Sequence, residues 1–116
     1  MITRNADREI SIREHAFGGT GRMYGRVIAA EQTMYGKNRL FNHVCLEPGD
    51  EVGWHVHTGD GEVYYILSGE GEYNDNGDVT TVYPGDVTWT SDGEGHSIKP
   101  AAGGRLEFIA LVVYSK

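Results

Sequence analysis

Between Leu40 and Ile98 the chain has no lysine and no arginine, while twelve aspartates and glutamates fall in the same 59 residues. A nucleic-acid-binding surface needs cations spaced along phosphates, so this stretch argues strongly against one. The cations sit at the two ends, seven before Leu40 and three from Lys99 onward. Cysteine is nearly absent. Cys45 alone makes no internal disulfide, and a reducing compartment is the simpler expectation. Long apolar runs are missing too, both the length that spans a membrane and the shorter run of a signal peptide in MITRNADREI. A soluble cytoplasmic protein with no membrane partner is expected. Helical periodicity is also lacking. The one candidate, Ala29 to Met34, is followed at once by Gly36.

What is present is short-range alternation and punctuation. Seventeen glycines against three prolines imply many tight turns, and 12 aromatics with several valine and isoleucine runs imply a packed core. Period-two runs predict strands at 10–14, 22–30, 40–46, 52–57, 62–67, 70–74, 79–83, 87–90, 97–99 and 106–114. Turn signals separate them, among them Pro-Gly-Asp at 48–50 and again at 84–86, and Asn76-Gly77, the best hairpin signal in the chain. The expected fold is all-β, a sandwich or small closed barrel in one domain of 116 residues. It divides into an N-terminal strand segment, 1–39, and a barrel core, 40–116.

One stretch stands apart. Residues 55 to 62 read HVHTGDGE, and on a strand His55 and His57 face the same way. Thr58-Gly59-Asp60-Gly61 reads as a loop that can return Glu62 alongside them. Inside a barrel, two imidazoles and a carboxylate would be costly to desolvate unless something pairs them. A divalent metal pairs all three. His15, His43 and His96 are the candidates for a fourth ligand. A repeated pattern of Pro-Gly-Asp, short strand, turn and histidine lets His96 approach from a facing strand. By parity Tyr64 and Ile66 share Glu62's face, and Trp89 and either Asn42 or His43 lie nearby. Val63, Tyr65 and Leu67 then point outward, as do Val52, Trp54 and Val56, forming an apolar stripe that a partner should cover.

These residues resemble the cupin family. Its first motif is met by Gly49, DEVGW, His55-Val56-His57, TGDG, Glu62, VYYILS and Gly69. The second is met by Gly93 and His96, with Ser91 where the family has proline and Pro100 where it has asparagine. The resemblance implies a jelly-roll barrel (double-stranded β-helix) in which His55, His57, Glu62 and His96 hold one divalent transition metal, Mn, Fe, Ni, Co or Zn. It further implies a small oxygen-rich ligand, such as a hydroxy or keto acid, enolisable carbonyl or sugar, and chemistry of the decarboxylase, dioxygenase, isomerase or lyase kind. Tyr64 is the candidate proton donor or a partner that supports the ligands, with an ordinary packed aromatic as the alternative. The small bacterial cupins that this chain most resembles are loosely grouped with oxalate decarboxylases, in which an arginine just before His-x-His holds the carboxylate. DEVGW has none, so a cation for an anionic ligand must come from Arg22, Arg26, Arg39 or Arg105. A non-catalytic metal- or metabolite-binding module is the alternative. Cupins commonly dimerise sheet on sheet, and a homodimer with Trp54 and Tyr65 near its interface is expected.

Overall fold

The computed structural model describes residues Met1–Lys116 and is built from ten antiparallel strands. They are β1 (Ile10–Glu14), β2 (Arg22–Val27), β3 (Asn38–Leu46), β4 (Val52–Val56), β5 (Asp60–Ser68), β6 (Gly71–Asp75), β7 (Asp78–Val82), β8 (Val87–Thr90), β9 (Gly95–Pro100) and β10 (Leu106–Tyr114). Six form one sheet in the order β1-β2-β3-β10-β5-β8, and four form another in the order β4-β9-β6-β7. The result is a jelly-roll β-sandwich, as expected. Every predicted strand is found within a few residues. β2 stops three residues early, and β5 begins at Asp60, which shortens the expected TGDG loop. Residues 31–36 make only turns, and two short 3-10 segments, Asn5–Asp7 and Ala16–Gly18, were not foreseen.

The turns follow from their residues. Asn76 and Gly77 both have positive φ, 51° and 101°, which gives a primed two-residue turn matching the twist of β6 and β7. The two Pro-Gly-Asp units make the same turn. Gly49 and Gly85 take φ of 90° and 91°, and in each unit the aspartate carboxylate accepts the backbone N–H at the turn's first residue. Proline at the second position and glycine at the third is the chemistry of a type II turn.

Alternate residues of both sheets fill the space between them. Val44, Leu46, Ile66, Tyr73, Ile98, Leu106 and Phe108 form the dry centre, each almost fully buried. Burying one such side chain contributes roughly 1.5–3 kcal/mol. Parity holds along β5, where Glu62, Tyr64 and Ile66 are buried while Tyr65 and Leu67 are exposed. It breaks in β4. Val52 was expected outward beside Trp54 and Val56, yet it is buried in the core. The pairing with β9 shifts by one residue between Val52 and His55, a bulge at Gly53 that turns Val52 inward and keeps the histidines on the inner face. Glycine suits this position because a Cβ there would run into the Phe17 carbonyl and the Gly19 nitrogen.

That split also divides the expected outward stripe. Trp54 and Val56 lie on the outer face of the four-stranded sheet, and Tyr65 and Leu67 on the outer face of the six-stranded one. These faces point away from each other, so one flat contact cannot cover both.

Candidate metal centre

Four side chains from three strands and one strand end meet at one edge of the core. His55 comes from β4, His57 from just beyond it, Glu62 from β5 and His96 from β9. Their donor atoms all lie within 4.8 Å of one another. Glu62 Oε1 is 3.0 Å from His96 Nε2, 3.2 Å from His57 Nε2 and 3.9 Å from His55 Nε2. His96 Nε2 also lies 3.1 Å from His57 Nε2 and 3.0 Å from His55 Nε2. Sequence reasoning named these four residues, and the fold brings them together. His15 and His43 stay outside: His15 Nδ1 faces the Gly19 carbonyl at 3.2 Å, and His43 pairs with Glu107 on the outer surface of β3.

The far nitrogen of each ring decides what the near one can do. His55 Nδ1 lies 2.8 Å from the Gly53 carbonyl, which only accepts, so Nδ1 carries the proton and neutral Nε2 presents a lone pair. His57 Nδ1 likewise donates to the Asp60 carboxylate at 2.6 Å. His96 Nδ1 is held by the hydroxyls of Tyr73 and Thr90, both at 2.9 Å. His55 and His57 thus turn Nε2 lone pairs toward the cluster, while the hydroxyls at His96 Nδ1 can donate or accept and let its Nε2 do either. A single proton cannot satisfy all four atoms. A divalent cation can, and the outer partners are those that orient metal-bound histidines. Donor separations of 3.0–3.9 Å, with none above 4.8 Å, are close enough for one cation to meet all four.

Electrostatics agree with this chemistry. Burial pushes the Glu62 carboxyl up, but the three imidazoles outweigh it and hold the group well below the usual carboxylate range. The bond to Glu62 raises His57 above its ordinary value despite burial, with Asp60 helping. Burial lowers His96 against the pull of Glu62. Tyr64 is pushed far up, first by burial and then by Glu62. Its ring lies against His96, with centroids 4.9 Å apart and planes 21° apart, and against Phe108.

Beside the four ligands is a cavity of about 110 Å³, largely apolar, walled by Leu40, Val44, Phe108 and Ala110 and reached by Tyr64. Asn42, on the inner face of β3, is buried but does not line it, and Trp89 faces solvent on β8, where it packs over Gly61. The expectation of Trp89 near the metal is therefore corrected. β8 pairs Trp89 with outward Val63, while Thr90 on the inner face takes the place beside His96.

Several residues escaped the sequence reading. Asp60, in the middle of HVHTGDGE, looks like a turn residue, though a carboxylate three positions after a ligand histidine was a usable signal. Arg39 bonds its other oxygen at 2.9 Å. Phe17 gave no signal. It sits in a strap where His15 and Phe17 both hold positive φ, and its ring stacks on His55 at 3.8 Å. Arg13 lies over the outer side of Phe17, 4.1 Å from the ring centroid. Ser91, at the family's proline position, accepts from Trp89 Nε1 and closes its turn with Glu94.

A jelly roll with three histidines and a glutamate converging inside one edge is a cupin-type fold whose cluster could hold a metal ion. The model for the cupin domain matches residues 42–114, and the chain belongs to the cupin family. It is 37% identical, over 97% of its own length and 93% of the relative's, to the oxalate-binding protein of Thermotoga maritima. A crystal structure from the same organism, described as a predicted oxalate decarboxylase, superposes with a TM-score of 0.91 at 37% identity, covering 98% of this chain and 99% of that one. A cupin-2 domain protein of Rhodospirillum rubrum shares the fold with a TM-score of 0.80 at 16% identity, over 100% of this chain and 77% of that one.

Proposed function

We propose that this chain binds one divalent transition metal through His55, His57, Glu62 and His96, and that the metal holds a small chelating carboxylate in the adjoining cavity. The observation that carries this reading is the convergence of three Nε2 atoms and one carboxylate oxygen within 4.8 Å, with His55, His57 and Glu62 lining that cavity and His96 fully buried beside them. Three imidazoles and one carboxylate suit Mn, Fe, Ni, Co or Zn and would leave one or two coordination positions for a ligand. The relative named for oxalate binding supports a carboxylate. A bound metal would supply Lewis acidity there. This chain's residues would orient the ligand, exclude water from its apolar side and fix the imidazole tautomers.

Turnover is the second reading, favoured by Tyr64. It lines the cavity beside Glu62, and burial keeps its phenol protonated, so it can donate a proton and cannot act as a base. We also infer a homodimer formed through the outer face of the six-stranded sheet, where Val63, Tyr65, Val87 and Trp89 pair across β5 and β8. The free thiol of Cys45 supports a reducing, cytoplasmic setting.

Metal-stripped protein reloaded with each metal in turn, then titrated calorimetrically with oxalate, tests the first reading. One metal per chain, with oxalate binding only to loaded protein, is expected. No metal uptake, or equal oxalate binding without metal, overturns it. Assaying loaded protein against oxalate, β-dicarbonyls, uronates and sugars, with and without oxygen, tests turnover.

A further inference from the structure

The cavity beside the four ligands has two cations in its wall, Arg13 and Arg39, and both come from outside the long acidic stretch. Arg39 was among the arginines expected to serve an anion; Arg13 was not, and Arg22, Arg26 and Arg105 line a separate depression on the outer face of β2, β3 and β10. There Glu47, Asp50 and Glu107 match the three cations one for one, so no charge is left for a ligand.

At the metal site the balance differs. The carboxylates Glu62 and Asp60 together cancel a divalent metal. Arg13 and Arg39 then leave the pocket two positive charges in excess. Arg39 gives Asp60 one nitrogen at 2.9 Å and keeps further N–H donors, with half of its side chain exposed. Arg13 stands across β1 from Met23, on the inward side of the sheet, and its guanidinium caps Phe17.

Placement sets the length of the ligand. Two stacking distances, 4.1 Å and 3.8 Å, separate the Arg13 guanidinium from the ring of the ligand histidine His55. With Arg13 stacked on Phe17 and Phe17 on His55, a ligand that meets both the four-residue cluster and this guanidinium needs a second carboxylate beyond its chelating end. Resting on the metal-and-carboxylate reading above, we propose that Arg13 and Arg39 make this pocket selective for a dicarboxylate that chelates through a 2-hydroxy or 2-oxo acid end and presents its far carboxylate to the two arginines. The ligand class is thus a four- or five-carbon 2-substituted dicarboxylate, longer than oxalate. The strap at 15–19 serves this arrangement, because Phe17 both backs His55 and carries Arg13.

Lactate and 2-hydroxysuccinate share the same chelating end and differ in the far carboxylate, so calorimetric titration of both into Mn-loaded protein isolates it. We expect 2-hydroxysuccinate to bind at least tenfold tighter, as a charge-assisted bidentate contact implies, and the advantage to shrink in Arg13→Gln and to disappear in Arg13→Gln/Arg39→Gln. Oxalate affinity should change far less in Arg13→Gln. Because Arg39 also steadies Asp60, metal content is measured in each variant, and Arg39→Lys should restore part of the preference. Equal affinity for the two acids in the unaltered protein, or a preference that survives in the double variant, overturns the inference while leaving oxalate binding intact. If none of the three anions binds loaded protein, the carboxylate reading falls and this inference with it.

Discussion

Phe17 lies face to face with His55, ring centroids 3.8 Å apart and planes 15° apart, on a strap 38 residues upstream of the histidine it covers. The contact fixes the ring of the most exposed of the four ligands, and a left-handed backbone at Phe17, φ 52°, holds it there. Such strain persists where packing over-determines it. Phe17→Ala should weaken metal binding about tenfold with the fold retained, the scale seen when a histidine ligand loses its support. Competition with a chromophoric chelator gives the affinity and circular dichroism the fold. Unchanged affinity would mean the stack is packing alone.

Replacing His55, His57, Glu62 or His96 singly by Ala should cost at least tenfold in metal affinity, whereas His15→Ala and His43→Ala should cost nothing. Elemental analysis of the six purified variants checks this. Loss of metal in His43→Ala with retention in His96→Ala would remove His96 from the ligand set.

Asp60→Asn tests the tautomer argument without touching a ligand. Asparagine can donate to His57 Nδ1, which would move the proton to Nε2 and block the lone pair. Metal affinity should drop about 10–100-fold. Asp60→Glu should keep part of it, and equal affinities for Asn and the unaltered protein would show that the 2.6 Å contact does not set the tautomer.

Acid should separate loaded from metal-free protein. Glu62 has a depressed pKa in the fold, so its contribution is present above the unfolded carboxyl value, about 4.3, and is lost as pH falls through the folded one. His57 is raised, so its contribution is complete below about 6.5 and fades as pH rises through its folded value. His96 is lowered and works against His57 in the same range. Protons and metal compete for the same Nε2 atoms, so the increase in Tm given by saturating metal should shrink from about pH 6.5 and vanish near pH 4.5. Scanning calorimetry with and without metal measures it. An increase that stays constant across this range would place the stabilising metal elsewhere.

Light scattering at micromolar concentration should give twice the chain mass of 12.8 kDa. Tyr65→Glu/Trp89→Glu should halve it, since both side chains are exposed on one sheet face and charges there resist burial against a copy. Trp54→Glu, on the other sheet, should leave the mass unchanged. A monomer in the unaltered protein overturns the dimer.

The strands, their turns and the His55-His57-Glu62 group were legible in the sequence because each depends on near neighbours, whereas His96 joined them only through the resemblance to the cupin motif. Period two tells a strand's faces apart. Proline-glycine and asparagine-glycine pairs specify turns by the φ they permit, and His-x-His puts two imidazoles on one face of any strand. Parity failed at Val52, where one bulge at Gly53 reversed it, and a bulge arises from how β4 meets β9 rather than from β4 itself. The outward apolar residues were each identified, but which sheet carried them was a matter of topology, so Trp54 and Tyr65 were joined in one stripe they do not share. Phe17, Arg13 and Arg39 reach the metal pocket only because β1, β2 and β3 extend the six-stranded sheet past its edge. Local chemistry along the chain determined what could bind a metal. The long-range pairing of distant strands alone decided which cations face it.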